Sequence, residues 1–148
     1  MRFSTRTLLV GVAVAAVLAA VVGSIFRSVE NSLGALKEFY VLEQTRMMLI
    51  EFVQENQGAW PSGWDDLSPH YRKYQNLGWS QSLESHQEMV DVDFTFDPDG
   101  YFGEDTRKNS ASPQLVLLKS RWPDLHAEEV DEINRLLLAM LRSMYLAE

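Results

Sequence analysis

The chain has 148 residues, which suits one compact domain with a membrane or export segment and leaves no room for a second enzyme-sized domain. It carries 21 acidic against 13 basic residues, a net charge of -8, which excludes a general affinity for nucleic-acid phosphates. Cysteine is absent, which excludes disulfides, thiolate metal sites and a cysteine nucleophile.

An apolar segment from Thr7 to Phe26 contains no charged residue and no proline. A helix of about 20 residues matches the hydrocarbon core of a bilayer. The segment is apolar on all sides rather than along one stripe, which is typical of a helix exposed to lipid. The sequence therefore predicts a transmembrane helix over residues 7–26, with membrane lipid as its partner.

The charges on either side of this segment predict its orientation. Arg2 and Arg6 precede it, and no acidic residue occurs before Glu30. The positive-inside rule then makes residues 1–26 a cytoplasmic stub and transmembrane helix, and residues 27–148 an extracytoplasmic α+β domain. This predicted domain holds all 21 acidic residues and 11 of the 13 basic ones, a net charge of -10.

A cleavable signal peptide is the alternative interpretation of the same segment. Its apolar run is longer than the usual signal core of about 7–15 residues, and no clean Ala-x-Ala site follows it. We therefore favour an uncleaved anchor. Cleavage would instead release an exported soluble binding module.

From Val29 the chain becomes amphipathic, and we expect one long helix that continues to about residue 57. Gly58 can adopt the left-handed turn that ends a helix, and Pro61 prevents the helix from resuming. The predicted core positions share a spacing of three to four residues: Leu33, Leu36, Phe39, Tyr40, Met47, Ile50 and Val53.

Two strands are predicted to form a small antiparallel sheet within about residues 89–120. In Met89–Phe96, valine and phenylalanine alternate with aspartate and threonine. Asp97–Gly100 has the composition of a turn, and Gln114–Ser120 is the second strand.

Two further helices are predicted. Residues 64–74 suit a short helix or turn, with Ser62 or Asp65 as its cap. A C-terminal helix over about residues 123–147 can open at Pro123, and acidic residues near its start suit the helix dipole.

The predicted long helix closes with Asn56, Gly58, Trp60 and Pro61, and Leu67 follows. This N-terminal part resembles type IV pilin-like proteins, especially the major pseudopilins of type II secretion. In that family the exposed helix commonly ends in an Asn/Asp-Gly-x-Tyr-Pro segment followed by a leucine. Here Gln57 is inserted, and Trp60 stands in the aromatic place.

The family also has a prepilin peptidase site, a glycine followed by Phe-Thr-Leu-x-Glu. Residues 2–12 read RFSTRTLLVGV instead, and the apolar segment contains no acidic residue. A carboxylate in lipid is costly and is retained only for a function, so its absence argues against filament assembly by that route. The resemblance implies the scaffold, a helix with a sheet wrapped on it, rather than the polymer.

Catalytic motifs are incomplete. The segment Gly78–Ser82 reads GWSQS and lacks the final glycine of a nucleophile elbow. His126 and Glu129 have an i,i+3 spacing that could touch one metal ion, but no His-Glu-x-x-His pair completes a site. We expect His70, His86 and His126 in solvent-exposed or capping positions, and we expect no enzymatic activity.

Four acidic residues form a candidate calcium site: Asp97, Asp99, Glu104 and Asp105. Their spacing does not fit an EF-hand, because alignment on Gly100 places threonines at the first and last ligand positions. An ordinary Asp-Pro-Asp-Gly hairpin turn is the favoured interpretation, with calcium as the alternative. No other cofactor is predicted.

Together these features predict a single-pass membrane-anchored envelope protein that acts by protein–protein interaction and has no nucleic-acid partner. Trp60, Trp64 and Trp79 are candidate contact residues, because exposed aromatic side chains favour partner surfaces. We expect at least two of them to pack near the end of the long helix instead.

Overall fold

The computed structural model describes residues 5–75, 81–102, 113–120 and 125–145, with side chains from residue 14 onward. Its elements in chain order are α1 (Thr5–Glu55), α2 (Trp64–Tyr74), α3 (Leu83–Met89), β1 (Val90–Val92), α4 (Pro98–Phe102), β2 (Val116–Leu118) and α5 (Ala127–Tyr145). The described structure is mostly helical, with the predicted long N-terminal helix, a two-stranded antiparallel sheet and a C-terminal helix, and it is consistent with the predicted α+β class.

The chain divides into two compact units, Met1–Leu36 and Lys37–Glu148, and α1 contributes to both. In the first unit the described side chains are those of α1 alone, and most are exposed. The second unit contains a hydrophobic core that begins at Val41 of α1 and includes residues from α2, both strands and α5. The boundary predicted from the sequence, after residue 26, is a different one: it divides the membrane segment from the extracytoplasmic domain. That boundary stays a prediction.

The buried face of α1 is rotated from the predicted one. Of the predicted core positions only Val53 is fully buried, while Leu33 and Leu36 are exposed. The buried stripe follows the same helical spacing, and three of its members are polar: Glu38, Gln44 and Thr45. Its apolar members are Val41, Leu42, Met48, Leu49 and Val53. The prediction was wrong because it assigned only apolar residues to the buried face. The buried face of the helix is the one that also contains these polar residues.

The first strand is shorter than predicted. β1 ends at Val92, because the Asp93 carboxylate then accepts hydrogen bonds from the backbone N–H and the hydroxyl of Thr95. The Asp93 N–H still donates to the Leu115 carbonyl at 2.9 Å, and the turn then replaces further pairing. The valine and phenylalanine alternation therefore has two uses: Val90 and Val92 lie in the sheet, and the following phenylalanines pack on tryptophans.

The second strand, β2, pairs with β1 antiparallel, as predicted, with Val92 opposite Val116 and Val90 opposite Leu118. On the far edge of β2, the side chain of Asn134 from α5 bonds to the strand backbone. α5 thus covers the edge that a third strand would otherwise fill.

Two local predictions about turns and caps were wrong. Asp97–Gly100 does not make a hairpin turn, because Asp97 caps α4: its carboxylate accepts from the N–H of Asp99 and its carbonyl from that of Tyr101. For α2 the capping residue is Gly63, and neither predicted side chain caps the helix. Asp66 instead reaches back to accept from the N–H and hydroxyl of Ser62.

The prediction from sequence missed α3 and placed the start of the C-terminal helix too early. Ser82 caps α3 by accepting from the N–H of Ser85, a Ser-x-x-Ser signal that was visible in the sequence. α5 begins at Ala127 rather than near residue 123. Its buried positions are Val130, Ile133, Asn134, Leu137 and Leu141.

Candidate functional site

The densest cluster of ionisable side chains in the described part of the chain lies where α2 meets the end of α1. Glu51 and Glu55 are four residues apart on α1 and therefore project from one face of that helix. α2 supplies His70, Lys73 and Tyr74 opposite them. We call these five residues the Glu–His–Lys cluster.

The ammonium group of Lys73 lies between the two carboxylates of the cluster. Its Nζ is 3.0 Å from Glu51 Oε2 and 2.9 Å from Glu55 Oε1. The Tyr74 hydroxyl donates to the other oxygen of Glu51, Oε1, at 2.6 Å. Both Glu51 oxygens are therefore occupied, one by the phenol and one by the lysine.

His70 provides the buried side of the cluster, since it is only 5% exposed. Its Nδ1 lies 3.3 Å from Glu51 Oε2, and its Nε2 lies 4.0 Å from Glu55 Oε2. The ring of Phe52 meets the imidazole edge to face at a centroid distance of 5.9 Å. The buried imidazole thus packs against the Phe52 ring and also lies near the carboxylates of Glu51 and Glu55.

The electrostatics of the cluster depend on these contacts. Burial raises the pKa of the Glu51 carboxyl, but hydrogen bonds from Tyr74, Lys73 and His70 outweigh burial, so the net pKa is below its ordinary value. Burial and the bond to the Glu51 carboxylate raise the pKa of Tyr74 to about 12. Hydrogen bonds to Glu55 and Glu51 raise the pKa of Lys73, which keeps the ammonium charged.

Sequence reasoning missed this cluster, because its members come from two helices and form no contiguous motif. A usable signal was present in the two glutamates at i,i+4 spacing, followed by a short helix with histidine and lysine three residues apart. That signal gains meaning only once α2 is known to lie against α1.

The predicted solvent exposure of the histidines was wrong, since all three rings are buried. His126 does occupy the capping position of α5, where its carbonyl accepts from the N–H of Val130. His86 of α3 bonds through Nδ1 to the carbonyl of Ser82 at 2.8 Å and through Nε2 to the Gln44 side chain at 3.1 Å. The polar residues within the buried stripe of α1 accommodate such rings, so a polar sequence context did not imply exposure.

A second polar cluster surrounds Glu38 of α1. Ser120 donates its hydroxyl to Glu38 Oε2, and His126 Nε2 lies 3.8 Å from the same oxygen. Within the described part of the chain, neither ring nitrogen of His126 has a hydrogen-bond partner, and the same is true of Glu129 Oε2. Of the predicted i,i+3 pair, His126 is buried and Glu129 is half-buried, and the described residues do not group the two with a third side chain as a metal site.

The structure describes half of the predicted calcium set. Asp97 and Asp99 are exposed, and Asp97 is used as the cap of α4. Gly100 lies so close that a Cβ on it would be 2.6 Å from Asp97 Oδ2. Glu104 and Asp105 lie outside the described residues, so calcium binding by the four residues stays a prediction.

Trp60 and Trp64 are half-buried beside the core, whereas Trp79 lies outside the described residues. Trp60 meets Phe96 and Trp64 meets Phe94, each edge to face at 5.7 Å. The indole N–H of Trp60 also donates to the Asp93 carbonyl at 2.7 Å. Both side chains therefore hold the segment after β1, as expected for tryptophans near the helix end.

A groove of about 540 Å³ brings two of the predicted sets together. Its lining includes Trp60 from the contact set, Asp97 and Asp99 from the calcium set, and Leu141 and Tyr145 of α5. The described wall of the groove thus combines aromatic and acidic side chains.

Comparisons with known protein families, curated proteins and solved structures find no match to this chain.

Proposed function

We propose that this chain is a single-pass membrane protein of the cell envelope that acts by protein–protein interaction. In this proposal residues 7–26 lie in the bilayer with the N-terminus in the cytoplasm, and residues 27–148 form an extracytoplasmic domain. The supporting observation is the exposed apolar surface of α1. One helix near the N-terminus is long and apolar enough to cross a membrane, which is compatible with single-pass localisation.

Large apolar side chains on this part of α1 are about half to two thirds exposed: Val14, Val17, Leu18, Val21, Val22, Ile25, Phe26 and Val29. Full burial of one such side chain is worth roughly 1.5–3 kcal/mol, so leaving this set in water costs on the order of 10 kcal/mol. A bilayer removes that cost around the whole circumference of the helix.

Polar groups along the helix are compatible with this environment. The Ser24 hydroxyl donates to the Val21 carbonyl at 2.8 Å, and the Ser32 hydroxyl donates to the Ser28 carbonyl at 2.9 Å. Because lipid supplies no hydrogen-bond partners, hydroxyls in or near the bilayer need such internal acceptors. The cytoplasmic N-terminus rests on Arg2, Arg6 and the positive-inside rule.

The proposed role is interaction rather than catalysis. The charged groups of the Glu–His–Lys cluster already pair with one another, as structural ion pairs do. The pilin-like part of the proposal rests on architecture, since the second half of α1 shares its core with an antiparallel strand pair. In this view the domain is a membrane-tethered docking module of an envelope assembly.

Expression of the full chain tests the location. We expect the protein in the membrane pellet after alkaline carbonate extraction, with an intact mass that includes residues 1–26. Recovery in the cytosol would contradict the proposal, and a soluble product lacking the apolar segment would support release by signal cleavage.

Orientation can be measured by cysteine labelling, because the chain has no native cysteine. Asp91→Cys replaces an exposed residue of β1, with 62% of the side chain accessible, and Ser4→Cys replaces a residue before the apolar segment. We expect an impermeant maleimide to label Asp91→Cys in intact spheroplasts and Ser4→Cys only after lysis. The reverse pattern would overturn the orientation.

The interaction role needs a separate test. A photo-crosslinking residue at Leu117, an exposed position on β2, or at Leu136, an exposed position on α5, should give discrete adducts in intact cells. Absence of adducts from both positions, with the protein in the membrane, would refute the interaction role and leave the location standing.

A further inference from the structure

The Glu–His–Lys cluster contains a potential metal ligand beyond its ion pairs. Lys73 pairs with Glu51 and Glu55, and the imidazole of His70 lies beside them. Two carboxylates and one imidazole, from Glu51, Glu55 and His70, each offer a ligand atom, and these atoms lie within 4.8 Å of one another. The cluster also already holds a cation, since the Lys73 ammonium lies 2.9–3.0 Å from one oxygen of each carboxylate.

We propose that Glu51, Glu55 and His70 bind a divalent transition-metal ion of the zinc type, in exchange with the ammonium group of Lys73. This proposal stands independently of the proposed membrane function, because it depends only on contacts between α1 and α2.

The donor set favours zinc over calcium or magnesium. An imidazole nitrogen suits zinc, copper, iron and nickel, whereas calcium and magnesium prefer oxygen ligands alone. Three protein ligands with a water molecule in the fourth position are a common arrangement for zinc. Two glutamates and one histidine supply those three ligands here, with His70 on the buried side.

Metal binding at this cluster requires the side chains of Glu55 and Lys73 to move. Ligands about 2.1 Å from a shared metal ion lie at most about 4.2 Å apart. Glu51 Oε2 and His70 Nδ1 are 3.3 Å apart, within that limit. Glu55 now faces the other ring nitrogen, with its Oε2 4.0 Å from His70 Nε2, so it must leave Lys73 and rotate toward Nδ1. Its side chain is 58% accessible, which leaves room for that rotation.

Lys73 is the group that must leave, and its surroundings allow this. Its side chain is 51% exposed at the edge of the cluster, so the flexible stem can carry the ammonium into water. A divalent ion has twice the charge of the ammonium and gains more from the same two carboxylates. Lys73 therefore lowers the affinity for metal without blocking the site.

Tyr74 would support the metal from the second coordination shell. Its hydroxyl donates to Glu51 Oε1, which leaves Oε2, the oxygen now shared by Lys73 and His70, to face the metal. Hydrogen bonds of this kind fix the orientation of a ligating carboxylate, and their loss typically weakens metal binding about 10–100-fold.

The test is titration of the tag-free, full-length protein in detergent with Co²⁺, followed by its visible ligand-field bands and by competition with Zn²⁺. We expect saturable binding of one ion. Lys73→Met should tighten binding about tenfold or more, because the competing charge is gone. Lys119→Met is the matched control, since Lys119 is equally exposed and pairs with Asp91 elsewhere, and it should leave affinity unchanged.

Ligand removal gives the opposite result. Glu55→Gln should weaken Co²⁺ binding at least about tenfold, because one charged oxygen ligand is lost. Its side chain is largely exposed, so the fold should be retained, and circular dichroism can verify this. His70→Gln should also remove the nitrogen-dependent features of the cobalt spectrum. Glu43→Gln, on the same helix and paired with Arg46, is the control that should retain binding.

Three results would overturn the proposal. The first is a lack of Co²⁺ binding by both the natural protein and Lys73→Met. The second is binding that survives Glu55→Gln and His70→Gln, which would place the ion elsewhere. The third is equal affinity for the natural protein and Lys73→Met, which would show that the ammonium and the metal do not compete.

Discussion

The side-chain amide of Asn134 makes hydrogen bonds to both backbone groups of Val116. Its Oδ1 accepts from the Val116 N–H at 2.8 Å, and its Nδ2 donates to the Val116 carbonyl at 2.9 Å. The same amide also accepts from the N–H of Leu115 and donates to the carbonyl of Val130. One buried side chain thus completes the free edge of β2 and attaches α5 to it.

Replacement of Asn134 by Leu should destabilise the domain by roughly 3 kcal/mol or more. The change leaves several buried backbone groups without partners, and each costs about 1–3 kcal/mol. Chemical unfolding followed by tryptophan fluorescence measures the effect. Arg135→Ala alters an exposed neighbour on α5 and should stay within about 0.5 kcal/mol. A similar small effect for Asn134→Leu would contradict this role.

Stability should fall as the pH is lowered from about 6.5, because of His86. Burial lowers the pKa of this imidazole, and the hydrogen bond to the Ser82 carbonyl opposes that effect only in part. The unfolded state then binds more protons than the folded state below pH 6.5, which destabilises the folded state by at most about 1.4 kcal/mol per pH unit.

The measurement is the free energy of unfolding between pH 5 and 8, compared for the natural protein and His86→Gln. We expect a shallower pH slope in the variant. The atoms next to the ring are both acceptors, the Ser82 carbonyl at Nδ1 and Gln44 Oε1 at Nε2, so neutral His86 donates to only one of them. Identical slopes in the two proteins would show that His86 does not control this dependence.

Tyr74 should resist ionisation more than an ordinary tyrosine, since its pKa is raised to about 12. Ultraviolet titration with a chelator present measures this for the natural protein and Tyr74→Phe. The two should have nearly equal tyrosinate absorbance up to pH about 11, and above that pH the absorbance of the natural protein should increase more. The folded state holds this proton more tightly than the unfolded state, so its stability contribution is complete below pH 10 and is lost as the pH rises toward 12. Excess absorbance of the natural protein already at pH about 10 would contradict the raised pKa.

The helix end at Gly58 should be sensitive to substitution. Two residues with positive φ close α1, Gln57 at 55° and Gly58 at 93°, and the Gly58 N–H donates to the Val53 carbonyl. Gly58→Ala should cost about 1–2 kcal/mol of unfolding free energy, because a Cβ is strained there. Gly63→Ala is the matched control: Gly63 has extended backbone with open space at its Cβ, and little change is expected. Equal effects at both glycines would exclude backbone strain as the cause.

Elements with strong local signals were predicted well. The end of α1, the left-handed Gly58, the antiparallel pairing of two strands and the existence of a C-terminal helix are all encoded in apolar periodicity and turn residues. The extent of β1 was not predictable in this way, because Asp93 and Thr95 compete with the ladder through side-chain hydrogen bonds.

The amino-acid sequence by itself determined the apolar N-terminal helix, its continuation to the Gly58 stop and the acidic character of the residues beyond the apolar segment, because these depend on residues near one another in the chain. Only the tertiary structure decided which face of α1 is buried, that all three histidines lie inside, and that Glu51 meets His70 and Lys73. Polar residues enter a core when a partner from another element satisfies them, and no local pattern of hydrophobicity records which residue that partner is.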